Sequence, residues 1–298
     1  MKLSAVIVSR NDNYGGHLVR TANFCLNSML KEFDEVVYVD WNSPGCVPLT
    51  DVCEIYNRDK LKVIVVSEDD AKRMCPDYHI CEVIGRNIGI RNATGDYIVS
   101  TNIDIIPPKR SHIDAVISEI PPKSLITIAS NDTTIEVVED VTKNNFSSVN
   151  ETLPYYIGVN PVTKNRCLSP FMAIDNNILN SVPAESKFHV TSVIMSCGDF
   201  QIAHRDTWFE IKGFEESMLK RGFADGVVQH KIIKNGGKVI ALVLPPVYNI
   251  QHERTSDPDV LNDIKFAPDV SLNTDDWGVY QGSGTSEGVF VNNVVPSK

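Results

Sequence analysis

The fold is decided by one stretch: Arg86-Asn87-Ile88-Gly89-Ile90-Arg91-Asn92-Ala93-Thr94-Gly95-Asp96-Tyr97-Ile98-Val99-Ser100-Thr101-Asn102-Ile103-Asp104. Its first part belongs to a helix that we predict over residues 84–93, closed by Thr94 and Gly95. Residues 97–100 form a short apolar run, typical of a buried strand. Polar side chains follow the strand as far as Asp104. Helix, turn and strand therefore come in succession, with a polar cluster where the strand ends.

Strands and helices also alternate before this stretch. We predict strands at residues 3–8, 35–39 and 61–66, each rich in β-branched side chains, and a helix at 18–30. This order indicates an α/β fold with an open, mostly parallel, twisted sheet flanked by helices. Ligands bind such sheets beyond the carboxyl ends of the strands. Polar clusters at 9–12, 40–43 and 102–104 should therefore converge on one edge.

The rest of the chain is less regular. We predict strands at residues 125–129, 190–195, 200–204 and 239–244, and helices at 206–209 and 226–235. Apart from the first of these strands, residues 121–185 should form loops that cover the site. The chain becomes polar and irregular from residue 251, apart from an apolar run around 289–291. We expect a single domain, 1–298.

Composition excludes several functional classes. The net charge of −10 and pI of about 5.2 provide no basic field for nucleic acid. With no signal peptide and no apolar stretch near the ~20 residues of a membrane helix, we expect a cytoplasmic protein without an integral membrane segment. The seven cysteines include no C-x-x-C pair and indicate reduced, mostly buried thiols. Zinc bound by Cys75 and Cys81 is the weaker alternative, because their spacing is unusual for zinc.

The stretch from Arg86 to Asp104 resembles a hallmark of family 2-like GT-A glycosyltransferases, which use nucleotide-diphospho-sugars. That family shows an R-N-x-G helix, then A-x-G-x-Y-I, then an apolar strand that ends in D-x-D. The resemblance covers about residues 3–109 and 190–252. Three further segments resemble the family's acceptor-side strand, its G-G-F-D-E turn and its acidic catalytic motif: Cys197-Gly198-Asp199-Phe200, Gly213-Phe214-Glu215-Glu216 and Arg221-Gly222-Phe223-Ala224-Asp225-Gly226. The chain departs from the family pattern at Asn102, Lys212 and Ala224.

The resemblance implies a GT-A, Rossmann-like fold and transfer of a sugar from a nucleotide-sugar donor, with uridine as the expected base, to a carbohydrate or glycan acceptor. Residues 1–110 would bind the donor, residues 111–252 would bind the acceptor and catalyse, and residues 253–298 would be an irregular tail. The expected donor-binding residues are Ser9, Arg10, Asn11, Asp40, Arg86, Arg91, Asn102 and Ile103. Asp40 would contact the base or ribose, and either arginine would reach the diphosphate, since guanidinium groups match phosphate oxygens.

Sugar transfer needs a group that stabilises the departing diphosphate. A divalent cation does this as a Lewis acid, and oxygen ligands suit Mg²⁺ or Mn²⁺. Asp104 is the expected ligand, and His252 matches the late histidine that completes the shell in many metal-dependent members of the family. Asn102 would contribute an amide oxygen, contact the ribose or bind the metal through water.

The acceptor hydroxyl must also lose its proton. Asp225 opens a predicted helix and is the candidate general base, which implies single displacement with inversion. The alternative is that Asp225 is only a helix N-cap. Asp199 and His204 are expected to face the acceptor. Trp41 and Trp208 would stack on the base or sugar, or lie in the core.

Three other functions remain open at this level. A retaining glycosyltransferase of the same fold would need a different catalytic group. A sugar nucleotidyltransferase would normally have a glycine-rich phosphate loop after the first strand, and residues 9–12 are not one, although Gly15 and Gly16 are near. A non-catalytic nucleotide-sugar-binding protein is suggested by Asn102, but the retained Asp104, Asp225 and His252 favour an enzyme.

Overall fold

The computed structural model describes residues 1–143, 171–174, 198–217, 224–252 and 272–280. The strand predicted at 190–195, Cys197, residues 221–223 and most of the predicted tail lie outside these ranges. Within them the chain has the predicted α/β fold, in which helices flank an open sheet.

The nine strands of the described part belong to one sheet. They are β1 (Leu3–Ser9), β2 (Glu35–Trp41), β3 (Leu61–Val66), β4 (Tyr97–Thr101), β5 (Ile105–Ile106), β6 (Ser124–Thr133), β7 (Phe171–Ile174), β8 (Phe200–His204) and β9 (Lys238–Ile250). Neighbouring strands follow the order β3-β2-β1-β4-β8-β6-β9-β5, and β7 also pairs with β9.

The direction of the strands decides where their ends meet. Strands β1 to β4 are mutually parallel, with Ser9 opposite Asp40 and Ile7 opposite Thr101. Strand β8 is antiparallel to both β4 and β6, and its first residue, Phe200, lies opposite Thr101. Strand β9 is parallel to β6. The carboxyl ends of β1, β2, β4, β6 and β9 and the start of β8 therefore share one edge.

Helices cover both faces of the sheet. The described helices are α1 (Leu18–Glu32), α2 (Leu49–Val52), α3 (Glu68–Met74), α4 (Glu82–Asn92), α5 (Arg110–Ser118), α6 (Ile135–Thr142), α7 (Arg205–Glu210) and α8 (Ala224–Lys234). Strand β1 is buried along its whole length, so its alternate residues supply two cores. Val6 and Val8 pack with α4 and α8, whereas Ala5 and Ile7 pack with α1 and α5.

Helix α4, which carries the R-N-x-G stretch, lies unusually close to β1. A Cβ atom on Gly89 would overlap the side chain of Val6, and one on Gly85 would come within 2.7 Å of Val8. Both positions face the sheet because they are four residues apart on one helix face. The glycines therefore set the depth of the helix that places Arg86 and Asn87.

Several elements differ from the prediction. Residues 121–143 are not mostly loop, since β6 spans ten residues and α6 follows it. Strand β9 runs to Ile250 rather than to residue 244. Four residues of β9, 243–246, stand against one residue of β6, a bulge that accommodates Pro245 and Pro246, which cannot donate ladder hydrogen bonds. The prolines explain why periodicity ended the predicted strand early.

The described part of the predicted tail, residues 272–280, is a turn docked on the sheet's helical layer. Arg91 of α4 donates to the carbonyls of Asp275 and Trp277, at 3.1 and 2.6 Å. The Tyr280 hydroxyl donates to Asp70 of α3 at 2.7 Å. Trp277 is buried in the same core as α4. Among the described helices, none has the length and apolar character needed to cross a membrane.

Candidate active site at the carboxyl edge of the sheet

The loop after β1 and the loop after β2 are joined through Ser43. The Ser43 hydroxyl donates to Asp40 Oδ1 at 2.6 Å and accepts the backbone N–H of Asn11 at 2.8 Å. The Asn11 side chain donates to the carbonyl of Val47 at 3.1 Å. Asp40 is fully buried, and burial raises the pKa of its carboxyl, which the hydrogen bonds from Ser43 partly counter.

The structure therefore gives Asp40 a different role from the expected direct contact with base or ribose. With no exposed surface, its carboxylate holds Ser43 and, through it, Asn11. Ser9 is buried beside Asp40 in the sheet. Arg10 is partly exposed and donates to the carbonyl of His79 at 3.4 Å. Asn11 and Arg10 are thus the more accessible parts of the predicted nucleotide loop.

Asp104 and His252, predicted as metal ligands, are far apart in the sequence but lie side by side in the structure. Asp104 Oδ2 is 3.2 Å from His252 Nε2. Asp104 Oδ1 is buried and has no hydrogen-bond partner among the described atoms. The strand extension of β9 brings His252 here, because Ile250 donates its backbone N–H to the Asp104 carbonyl at 2.9 Å. This pair fits two ligands of a divalent cation.

The loop after β1 packs against the same histidine. The rings of Tyr14 and His252 meet edge to face with centroids 4.6 Å apart. His17 Nε2 lies 3.2 Å from the carbonyl of Gln251. The Asp104–His252 pair is therefore continuous with the predicted nucleotide loop. Ile103, between Asn102 and Asp104, is partly buried against the core on the α1 side.

A second cluster is centred on Asn102. Arg86 donates to Asn102 Oδ1 through Nη2 and to Ser100 Oγ through Nη1, at 2.6 Å for the latter. The Asn102 amide nitrogen donates to Asp199 Oδ1 at 3.1 Å. Ser130 donates its hydroxyl to Asp199 Oδ2 at 2.7 Å. Arg86 is buried, with its guanidinium 5.4 Å from the centre of the Phe214 ring.

Asp225 completes this cluster. Its carboxylate lies against the α-carbon of Gly198, since a Cβ atom there would overlap both carboxylate oxygens. Asp225 is the second residue of α8 and lies in its first turn, not at the residue before the helix as predicted. Burial raises the pKa of Asp225 to about 6, with Arg86 lowering it and Glu82 and Asp199 raising it.

Two predicted site residues lie elsewhere. Arg91 is committed to residues 272–280 and also faces the Trp277 ring at 5.4 Å, so it anchors that turn and does not point to the edge. His204 pairs with Tyr97, at the opposite end of β4 from Asn102. The two ends of β4, Tyr97 and Thr101, are four residue steps apart, roughly 13 Å. His204 instead accepts the Asp206 N–H at 3.2 Å and caps α7.

The two tryptophans are core residues, and the cysteine pair is not a described zinc site. Trp41 and Trp208 are fully buried, and the Trp208 indole donates to the Ile98 carbonyl at 3.1 Å. They pack in the core rather than stacking on a ligand. Cys75 and Cys81 are also buried. No group of three or more potential metal ligands of the His, Cys, Asp or Glu types occurs in the described residues.

Asn87 is a structural anchor that the sequence alone did not single out. Its side chain accepts the Phe214 N–H at 2.7 Å and donates to the Phe214 carbonyl and to Glu216, both at 2.9 Å. It thereby fixes the predicted acceptor-side turn to α4. Its place in the R-N-x-G stretch was the available signal. Ser130 had none, because 69 residues separate it from Asp199.

No protein-family model matches the chain, and the search of curated proteins finds no match. Solved structures do match it. The chain aligns with S. aureus TarS 1-349 at 18% identity and a TM-score of 0.51, over 84% of this chain and 60% of that one. A complex of the same protein with UDP aligns at 18% identity and 0.51, over 84% and 61%. A complex with UDP-GlcNAc aligns at 17% and 0.50, over 85% and 60%.

This likeness shows that the chain shares the Rossmann-like α/β fold of these structures. The chain spans only about three-fifths of the length of each of these three structures. Any statement about the activity of the chain therefore rests on the residues at the edge of its sheet and not on this likeness.

Proposed function

We propose that this chain is a metal-dependent, family 2-like glycosyltransferase that moves a sugar from a UDP-sugar to an acceptor hydroxyl, with inversion. The observation that carries the proposal is the meeting of two clusters at one sheet edge. One holds Asp104 beside His252 at 3.2 Å. The other holds Asp225 against Gly198, beside Asp199 and Arg86. Together they supply what sugar transfer requires: a cation site and a base.

Asp104 and His252 would hold Mn²⁺ or Mg²⁺. When bound, the cation would neutralise charge on the departing diphosphate as a Lewis acid. Asp104 Oδ1, which has no hydrogen-bond partner in the described part of the chain, supports this assignment, because a buried carboxylate oxygen without a hydrogen bond is costly unless a ligand satisfies it. Asn102 is not assigned as a direct ligand, since its oxygen already accepts from Arg86.

The nucleotide would bind beside the joined loops after β1 and β2. Asn11 and Arg10 are its accessible side chains, and buried Asp40 keeps Ser43 and Asn11 in place. The UDP and UDP-GlcNAc complexes of TarS support uridine as the base to test first. Guanosine and cytidine diphosphates provide the comparison in calorimetry, and tighter binding of either would contradict the uridine assignment.

Asp225 would remove the proton of the acceptor hydroxyl. As the acceptor oxygen bonds to the anomeric carbon, the bond from that carbon to the diphosphate oxygen breaks, and the proton passes to the Asp225 carboxylate. Attack from the face opposite the leaving group inverts the anomeric centre. A pKa of about 6 leaves Asp225 largely ionised at neutral pH and basic enough to accept a proton.

The test is turnover of a panel of UDP-sugars with Mn²⁺, by the unaltered protein and by Asp225→Asn. The substitution nearly preserves shape, and loss of a general base costs roughly 10²- to 10⁴-fold in rate. Donor affinity should stay within a few-fold. Asp206→Asn, which removes a carboxylate at the opposite edge, is the matched control and should keep full turnover. Turnover by Asp225→Asn equal to that of the control, or a product with retained configuration by NMR, would remove Asp225 as the base.

A further inference from the structure

Asn102 replaces the first aspartate of the D-x-D pattern, and its surroundings explain why an amide stands there. Arg86 has only donors to offer, so the side-chain oxygen of Asn102 must face it. The amide nitrogen then points the other way and needs an acceptor. Asp199 Oδ1 supplies that acceptor at 3.1 Å. Both ends of the amide are thus satisfied, with a cation on one side and an anion on the other.

Asp199 is itself fixed from other elements of the sheet. Its Oδ2 accepts the Ser130 hydroxyl from β6 at 2.7 Å, and its backbone carbonyl accepts the Thr101 hydroxyl from β4 at 2.6 Å. The adjacent residue, Gly198, contacts the Asp225 carboxylate. Asp199 therefore connects the segment after β4 with the backbone against which the proposed base rests.

We propose that Asp199 is a positioning residue for Asn102. The pair carries one negative charge, on Asp199, and this charge excludes a carboxylate at residue 102. This rests on the proposed function, because the positioned groups belong to the transferase site. A second carboxylate at position 102 would accept from Arg86 but would face Asp199 across about 3 Å, where like charges repel strongly.

The proposal has an unusual consequence for engineering. Asn102→Asp recreates the D-x-D pattern of the family, and resemblance alone would predict equal or better activity. The structure predicts the opposite. The double variant, Asn102→Asp with Asp199→Asn, exchanges the two groups and again has one amide and one carboxylate. The new amide then donates to the new carboxylate, and Arg86 keeps its acceptor.

The experiment compares the unaltered protein, the two single variants and the double variant by kcat and donor KM and by melting temperature. We expect Asn102→Asp to lower kcat about tenfold or more, as for a disrupted buried polar pair, with KM for the donor changed less than threefold. Asp199→Asn should lower kcat similarly. The double variant should recover most of the loss. Asp206→Asn, seven residues after Asp199, controls for removal of a carboxylate.

Two results would overturn the proposal: Asn102→Asp as active as the unaltered protein, or a double variant no better than the worse single one. A merely structural pair would change melting temperature and leave kcat of the folded enzyme intact, which would also overturn the positioning role. If the unaltered protein turns over no UDP-sugar, the transferase assignment fails, and melting temperatures still test the pairing. A double variant with a higher melting temperature than either single variant then supports the charge exchange. A change in its melting temperature equal to the sum of the changes in the two single variants refutes it.

Discussion

The Asp225 carboxylate rests on the α-carbon of Gly198, and no space for a methyl group remains between them. Gly198→Ala should therefore displace Asp225 without removing any titratable group. We expect turnover to fall at least tenfold, since small misplacements of a catalytic group are costly, with UDP affinity little changed. Gly236→Ala, at a φ of +77° where a Cβ atom would meet nothing within 4 Å, should lower stability through backbone strain but leave turnover intact, so it controls for the loss of a glycine away from the site. Equal turnover by both variants would contradict the contact.

The raised pKa of Asp225 predicts how activity depends on pH. Burial raises this pKa to about 6, and only the ionised carboxylate can act as a base. Turnover should therefore rise as pH increases through about 6 and reach a plateau above 7. Removing the positive charge of Arg86 should move the rise to higher pH, because Arg86 lowers the pKa of Asp225. Rate measurements from pH 5 to 8 on the unaltered protein and Arg86→Met test this, and an unshifted profile would count against the contact.

The raised pKa of Asp225 also predicts that this residue lowers the stability of the folded protein at neutral pH. The pKa of Asp225 is higher in the folded protein than the ordinary aspartate value of 3.8. Ionisation of Asp225 therefore lowers the stability of the folded protein. This loss of stability is absent below pH about 4, grows as the pH rises, and reaches its full size above pH about 6. At pH 8, Asp225→Asn should have a higher melting temperature than the unaltered protein. Its free energy of unfolding should be larger by about 1–3 kcal/mol. The difference should shrink as pH falls towards 4. A constant difference across this range would show that Asp225 is not the titrating group.

The cation assignment has a readout that does not depend on turnover. Asp104→Asn and His252→Ala should each weaken Mn²⁺ binding, measured by calorimetry in the presence of UDP, by about tenfold or more. Chelator should abolish activity of the unaltered protein, and added Mn²⁺ or Mg²⁺ should restore it. His17→Ala alters a histidine next to the pair without touching the two proposed ligands. Mn²⁺ affinity that is equal in all three variants, or full activity in excess chelator, would refute the site.

Arg91 provides a test of the structure against the expected donor site. Arg86 or Arg91 was expected to reach the diphosphate because guanidinium groups match phosphate oxygens, whereas the structure commits the Arg91 guanidinium to the carbonyls of Asp275 and Trp277. Arg91→Ala should therefore leave the donor KM within about twofold and lower the melting temperature, because the partly buried Trp277 carbonyl and the exposed Asp275 carbonyl lose a charged donor. A large rise in KM with normal stability would restore the diphosphate role.

The first hundred residues are the most predictable part because four strands and the helices α1 and α4 follow from local pattern, whereas the short helices α2 and α3 are not predicted. The strands are continuous apolar runs, and the glycine spacing of α4 fixes its depth on β1. The polar clusters after β1, β2 and β4 meet as predicted because parallel pairing alone determines that edge. The place of His252 beside Asp104 also agrees with the expectation.

The misplaced residues share a different cause. Arg91 and His204 were assigned from residue type and order, but each is decided by contacts that the local sequence does not contain. Arg91 meets a turn 186 residues later, and His204 is placed by an antiparallel register that sends it to the far edge. Asp40 was placed on the right edge, yet its burial reverses the expected role from ligand contact to loop support.

The docking of residues 272–280 bears on the order in which the chain folds as it is made. Helices α3 and α4 belong to its first third, but Tyr280 and Trp277 complete their surroundings from about 200 residues downstream. At synthesis rates of roughly 5–20 residues per second, that delay lasts roughly 10–40 seconds. During this interval Trp277 does not yet cover α4 in the nascent chain, and Arg91 lacks the two carbonyl groups that accept its hydrogen bonds. A ribosome-bound chain ending before residue 272 should therefore be cut by protease near α4 far faster than the released protein.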